Sequence, residues 1–113
     1  MVNTSGEGHR AMVPLEILGW NWGAFTMNWI WGLYNRTYFA LLMFVPLVNI
    51  PVFVMLGLRG NEWAWRNRRW DSIEHFQRVQ RQWSIAGLAL TSVTAVAVGA
   101  GAIGLLVGTL AGR

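Results

Sequence analysis

The sequence contains no cysteine and no lysine, and each absence narrows the class of protein. Without cysteine there can be neither a disulfide framework nor a cysteine-based zinc or iron–sulfur site. All nine basic residues are arginines, against five acidic residues, and the net charge is +4. Acidic residues interrupt the basic stretch, and tryptophans and apolar runs surround it. We therefore expect no nucleic-acid partner and attribute the positive charge to orientation in a membrane.

The sequence has few side chains that could act in catalysis or bind a metal ion. The two histidines are His9, in the polar N-terminal stretch, and His75, which follows Glu74 in a charged region. They assemble no Ser-His-Asp set, no cluster of metal ligands and no phosphate loop. The apolar runs 38–58 and 84–111 hold no Asp, Glu, Lys, Arg or His, so a proton relay lacks its usual parts. We expect no enzyme activity, no metal site and no cofactor.

What remains is strongly apolar: 54% of the 113 residues are hydrophobic, and eight are tryptophan. A chain of this length forms one domain. We predict a single all-α integral membrane domain over 1–113 with two to three transmembrane helices. Residues 1–16 have no apolar core of signal-peptide length and are expected to form a polar tail.

The clearest helix is the last one. Residues 84–111 contain no charge, no proline and no aromatic ring. As a helix they extend about 42 Å, more than the ~30 Å of bilayer hydrocarbon. Asp71 and Glu74 resemble a capping box, so a helix is expected from near Ser72. Nothing interrupts the pattern up to Thr109, which is compatible with one long helix that continues into the membrane.

Small residues recur at intervals of four along this helix, which is typical of a face for close helix packing. The first stripe is Gly87, Thr91, Ala95 and Gly99, and the second is Ala100, Gly104, Gly108 and Gly112. We predict that the partner is segment 38–58, a second copy of the chain or another membrane protein.

Segment 38–58 is apolar except for Asn49 and is long enough to span a bilayer. Pro46 and Pro51 predict a kinked or unwound middle, where the side chain of Asn49 could satisfy a freed backbone group. A re-entrant hairpin bent between the two prolines is the alternative.

Segment 17–34 is uncharged and only just long enough to cross. Asn21, Asn28 and Asn35 recur every seven residues and would share one face of a helix. The segment is predicted either to lie in the membrane interface or to span, with its asparagines turned toward another helix. Asn21, Asn28 and Asn49 are the predicted polar seam.

The loop-helix 59–83 carries six arginines against three acidic residues. The positive-inside rule places it in the cytoplasm, and the C-terminus is then periplasmic. Its tryptophans and arginines predict either a docking surface for anionic lipid or a protein partner, or an ordinary anchor belt. The residues concerned are Arg59, Trp63, Trp65, Arg66, Arg68, Arg69, Trp70, Arg78, Arg81 and Trp83.

Two motifs carry a resemblance to a family. One is Asn21-Trp22-Gly23-Ala24-Phe25; the other is Gly60-Asn61-Glu62-Trp63-Ala64-Trp65, followed by Trp70 and by Phe76, Gln80 and Trp83. In these motifs residues 19–83 resemble a group of short bacterial polytopic membrane proteins of unknown function. The resemblance implies a small inner-membrane protein and no established activity.

These observations predict a non-catalytic accessory subunit of a larger bacterial inner-membrane complex, for which a respiratory or photosynthetic assembly is a natural host. Its partners would be membrane lipids and other integral subunits, and a hetero-complex is favoured over a homodimer. The alternatives are a self-associating homodimer and a small transporter or lipid-handling protein that uses the region between Pro46 and Pro51.

Overall fold

The computed structural model describes residues 2–112, whose regular structure is entirely helical. Its α-helices are α1 (Trp22–Tyr34), α2 (Asn49–Asn67) and α3 (Ile73–Ala111). Three short 3₁₀ segments precede or connect them: Gly8–Arg10, Leu15–Ile17 and Tyr38–Phe44. The predicted all-α class is confirmed. The molecule measures 69 × 28 × 19 Å because α3 extends far beyond a compact head formed by the rest.

Helix α3 begins and continues as local signals predict. The Ser72 hydroxyl accepts a hydrogen bond from the His75 N–H at 3.0 Å, so Ser72, and not Asp71, is the N-cap. The helix then runs unbroken for 39 residues, which confirms one long helix. Within residues 2–112 it is the one helix long and apolar enough to cross a membrane.

Helix α1 is folded back on itself. Asn28 has φ 30° and ψ −99°, which breaks the helix in its middle. On a straight helix Asn21 and Asn35 would lie about 21 Å apart. Instead, both side chains bond the carboxamide of Gln80. Neither straight form of segment 17–34, spanning or interfacial, is present, because the chain reverses direction at Asn28.

The Gln80 carboxamide is the centre of a buried hydrogen-bond network. Its oxygen accepts from Asn21 Nδ2 at 2.9 Å and from Trp31 Nε1 at 2.8 Å, and its nitrogen donates to Asn35 Oδ1 at 2.8 Å. Asn21 also donates to Asn61 Oδ1 at 2.7 Å, which brings α2 into the same network. Gln80 therefore connects all three α-helices through side-chain amides.

Segment 38–58 is not one continuous helix, and its middle is unwound as Pro46 and Pro51 predict. Tyr38–Phe44 is a 3₁₀ segment, and α2 starts only at Asn49, after a turn in which Leu47 has φ 71°. The break lies next to Pro46, whose missing backbone N–H disfavours a continuous helix at this point. The Asn49 N–H donates to the Val45 carbonyl at 3.1 Å.

Glycine is a common residue at the end of a helix, but helix α2 does not end at Gly60. It continues to Asn67, and Gly60 allows close contact with α1. A Cβ at Gly60 would lie 2.8 Å from the Ala24 Cβ and 3.3 Å from the Trp31 ring. The loop-helix 59–83 is thus the end of α2, a short connection and the first turns of α3.

Residues 2–16, the predicted polar tail, pack on the head. The Gly6 N–H donates to the Trp65 carbonyl at 2.9 Å. The Ser5 hydroxyl is buried and accepts from the Trp70 N–H at 2.7 Å, while Asn3 Nδ2 donates to the Trp70 carbonyl at 2.6 Å. The tail pairs with the α2–α3 connection and satisfies its backbone groups.

Replacing Gln80 with leucine should destabilise the head. Trp31 Nε1 and Asn35 Oδ1 would lose their buried partner, which costs about 2–4 kcal/mol for two such groups. We expect this loss in the free energy of unfolding in mild detergent, followed by near-UV circular dichroism of the tryptophans. The matched control is Gln82→Leu at an exposed site of the same helix. Equal stability of the two variants would contradict the network's role.

Candidate interaction surfaces

The first of the predicted packing stripes divides between an internal and an external surface. Gly87 is buried, and a Cβ there would clash with the Thr26 hydroxyl and lie 3.1 Å from the Met27 side chain. Gly87 therefore packs α3 against the first half of α1 inside the chain. Thr91 and Ala95 are exposed, so the contact ends within one turn.

Beyond this point α3 has no partner within the described part of the chain. Every residue from 88 to 112 is exposed. Nothing outside the helix lies within 4 Å of a Cβ built on Gly99, Gly104 or Gly108, and at Gly112 only carbonyls of the same helix do. Ala100 is exposed among them. The second stripe is open for its whole length, and segment 38–58 does not cover it.

Two of the predicted docking tryptophans are core residues. Trp65 and Trp70 are 1% and 0% exposed, so their prediction as surface residues is wrong. Phe76 packs edge-on against both rings, with centroids 5.6 and 4.9 Å away. Each indole N–H is satisfied, Trp65 by the Met12 carbonyl at 3.1 Å and Trp70 by the Ala64 carbonyl at 2.9 Å.

Three of the predicted docking arginines instead hold backbone carbonyls of the head. Arg66 donates to His9 at 3.0 Å, Arg68 to Tyr34 at 2.6 Å and Arg69 to Asn3 at 2.7 Å. The Arg68 guanidinium also lies 4.1 Å from the centre of the Tyr34 ring. These contacts give Arg66, Arg68 and Arg69 structural roles, because each ties a distant segment to the end of α2 or to the α2–α3 connection.

The remaining members of the predicted docking set lie at the surface. Arg59, Arg78 and Arg81 are exposed. Trp63 and Trp83 are half-buried: Trp63 lies against Phe39 with ring centroids 5.0 Å apart, and Trp83 lies against Tyr34 at 5.4 Å.

The predicted polar seam is partly right about its residues and wrong about its geometry. Asn21 belongs to the Gln80 network, Asn28 forms the reversal, and Asn49 is not a member of the network. The sequence prediction missed Gln80 as the centre. The available signal was a single amide four residues after Phe76, on the apolar side of the helix that Phe76 occupies.

Reactive groups do not gather elsewhere in the head. Among residues 2–112 there is no group of three or more His, Asp or Glu side chains placed to hold a metal ion. Comparison with protein-family models, curated proteins and solved structures found no match. The resemblance to short bacterial membrane proteins stays a prediction. The structure defines an all-α protein with a compact head and one candidate membrane helix.

The division of α3 predicts opposite effects of one substitution at two glycines. Gly87→Leu would force the side chain into Thr26 and Met27 and should destabilise the head by about 1–3 kcal/mol. Gly101→Leu is the control, since a Cβ there has nothing within 4 Å. Urea unfolding in mild detergent, followed by tryptophan circular dichroism, measures both. A stable Gly87→Leu head would contradict the packing of α1 on α3.

Proposed function

We propose that the chain is a non-catalytic accessory subunit of a bacterial inner-membrane complex, anchored by one crossing of α3. The supporting observation is the open surface of α3 beyond Gly87, which is long, apolar and without a partner inside the chain. Residues 85–111 would extend about 40 Å, enough for the ~30 Å of hydrocarbon with some tilt.

One crossing replaces the two or three that the sequence suggested. Segment 17–34 is folded back at Asn28, and its asparagines bond Gln80 within the head. Segment 38–58 is divided by a turn between Phe44 and Asn49. Neither segment forms the continuous helix of about 20 residues that a crossing requires.

The proposed orientation follows from the distribution of arginine. Residues 2–84 hold eight arginines and five acidic residues, whereas residues 85–112 hold no charged residue. The positive-inside rule then places the arginine-bearing part of the head on the cytoplasmic side and the C-terminal end of α3 on the periplasmic side. Residues 2–16, which pack on the head, lie on the cytoplasmic side with it.

Contact between helices is the function that the open stripe supports best. In lipid, apolar burial does not drive helices together, so close backbone approach and dispersion contact must do so. Ala100, Gly104 and Gly108 offer such an approach on one face, with no side chain of the head in the way. The proposed partner is another integral membrane subunit, and a second copy of the chain is the competing outcome.

Cysteine labelling tests the topology, because the chain has no native cysteine. With one crossing, Arg36→Cys is cytoplasmic and stays unlabelled when intact spheroplasts receive a membrane-impermeant maleimide. Gly112→Cys is the periplasmic control and should be labelled. If 38–58 crosses, position 36 is periplasmic with either two or three crossings. Labelling of Arg36→Cys before lysis would therefore refute the single crossing.

Replacing small residues of the second stripe with larger ones should weaken assembly without changing the fold of the head. We expect Gly104→Leu with Gly108→Leu to lose most of the protein that co-purifies in mild detergent, measured by quantitative mass spectrometry. Ala102→Leu is the control, because it lies on the opposite side of the helix. Recovery of other membrane proteins supports the subunit, whereas recovery of the chain alone supports the homodimer. Unchanged recovery in the double variant would reject the packing face.

A further inference from the structure

One part of the head is an uncharged hairpin with many exposed apolar side chains. It comprises residues 38–58, and we call it the apolar hairpin: the 3₁₀ segment Tyr38–Phe44, the turn after it and the first half of α2. Its large exposed apolar side chains are Tyr38, Phe39, Leu41, Leu42, Phe44, Val45, Leu47, Val48, Ile50, Val54 and Leu58. Leu47, at the tip, is 90% exposed. So large a contiguous apolar surface marks a membrane or partner contact.

Two sets of contacts, at different positions along α3, show in which direction the hairpin points. Asn61 of α2 and Gln80 of α3 bond the same side chain, that of Asn21. Trp65, four residues later in α2, contacts Phe76, four residues earlier in α3. Helix α2 therefore runs antiparallel to α3, and its beginning points the same way as the end of α3.

The height of the tip follows from helix geometry. Asn49 precedes Asn61 by 12 residues, which is about 18 Å along α2. Asn49 therefore lies at about the same height as Ser92, which follows Gln80 by 12 residues on α3. The tip of the hairpin thus lies alongside the apolar part of α3.

Aromatic packing gives the other arm of the hairpin the same direction. Phe44 ends the 3₁₀ segment and lies against Trp29, with ring centroids 5.8 Å apart. Trp29 follows the reversal of α1, and the residues just before that reversal pack on Gly87. Both arms therefore rise beside α3 from the level of Gln80.

Arginines surround the base of the hairpin at a single height. Arg81 follows Gln80 and Arg59 precedes Asn61 by two residues, so their backbones lie within about 3 Å of the Gln80 level along the axis. Arg36 directly follows Asn35, whose side chain bonds Gln80. All three are exposed. Arg36 and Arg81 match the anionic phosphates of lipid headgroups, whereas the Arg59 guanidinium bonds the Glu62 carboxylate at 3.2 Å.

We propose that the apolar hairpin inserts among the acyl chains of the cytoplasmic leaflet beside α3 and turns back inside that leaflet. The inference rests on the proposed crossing of α3. From Arg81 to the level of Ser92 is about 16 Å, close to half of the ~30 Å hydrocarbon thickness. The tip therefore reaches the middle of the bilayer without crossing it.

Two prolines lower the cost of placing this turn in lipid. An unpaired backbone N–H is expensive in hydrocarbon. Pro46 and Pro51 have no N–H, and the Val45, Asn49 and Val52 N–H groups donate to carbonyls of Leu42, Val45 and Val48 at 3.0–3.2 Å. The turn thus presents apolar side chains with most of its nearby donors removed or paired.

Depth-dependent quenching tests the insertion. Full-length single-cysteine variants are labelled with an environment-sensitive fluorophore and reconstituted in vesicles of phosphatidylcholine and phosphatidylglycerol with bromines in the acyl chains. Leu47→Cys should lose as much fluorescence as Leu90→Cys, which is at a similar height on α3. Leu15→Cys should lose almost no fluorescence. It lies in the 3₁₀ segment Leu15–Ile17, where the Glu16 carbonyl accepts a hydrogen bond from Gln77, three residues before Gln80 and farther from the membrane. Leu15 and Leu47 are both largely exposed, so neither variant disturbs the core.

The three positions separate the inference from the proposal on which it rests. If Leu47→Cys behaves like Leu15→Cys while Leu90→Cys is quenched, lipid does not surround the hairpin, and the inference fails although the crossing stands. An unquenched Leu90→Cys would instead refute the crossing itself. Labelling of Leu47→Cys from the periplasmic side of spheroplasts would show that the hairpin crosses, which also overturns the inference.

Discussion

The Gln80 carboxamide is the constraint on which the head depends. Its oxygen and nitrogen lie on one small planar group, yet they bond the two ends of α1. A buried amide must find its partners nearby, since leaving it unsatisfied in an apolar interior costs several kcal/mol. The reversal at Asn28 is the conformation that brings both asparagines to it. The same group orients Trp31, around which α1 and α2 pack.

This constraint divides α3 into two functional parts. Its first turns carry Ser72, Phe76 and Gln80 and hold the head, and Gly87 packs closely against α1. Beyond Gly87 every described residue of the same helix is exposed. Because one continuous helix joins the parts, the head and the open stripe keep a fixed relative orientation. A partner bound along the stripe would meet the head at a defined angle.

The sequence predicts the elements that depend on local interactions and fails where distant residues decide. Helix α3 was predictable because its cap and its uninterrupted apolar run are local signals. The seven-residue spacing of Asn21 and Asn28 identified relevant residues, but periodicity assumes a straight helix and cannot reveal a reversal held by Gln80. Gly60 was ambiguous, since glycine serves both as a helix cap and as a close-contact residue. Trp65 suits a core as well as an interface, and only the packing of Phe76 decides between them.

The reversal also explains why an uncharged stretch of membrane-compatible length remains in the head. As a straight crossing helix, Ile17–Tyr34 would carry the Asn21 and Asn28 amides into hydrocarbon and leave Asn35 at its end. Each amide would need a partner in lipid, and after Trp83 the side chains of α3 offer only the hydroxyls of Ser84, Thr91, Ser92, Thr94 and Thr109. Folding back pairs Asn21 and Asn35 with the buried Gln80, while the Asn28 amide donates to the Thr26 carbonyl at the reversal.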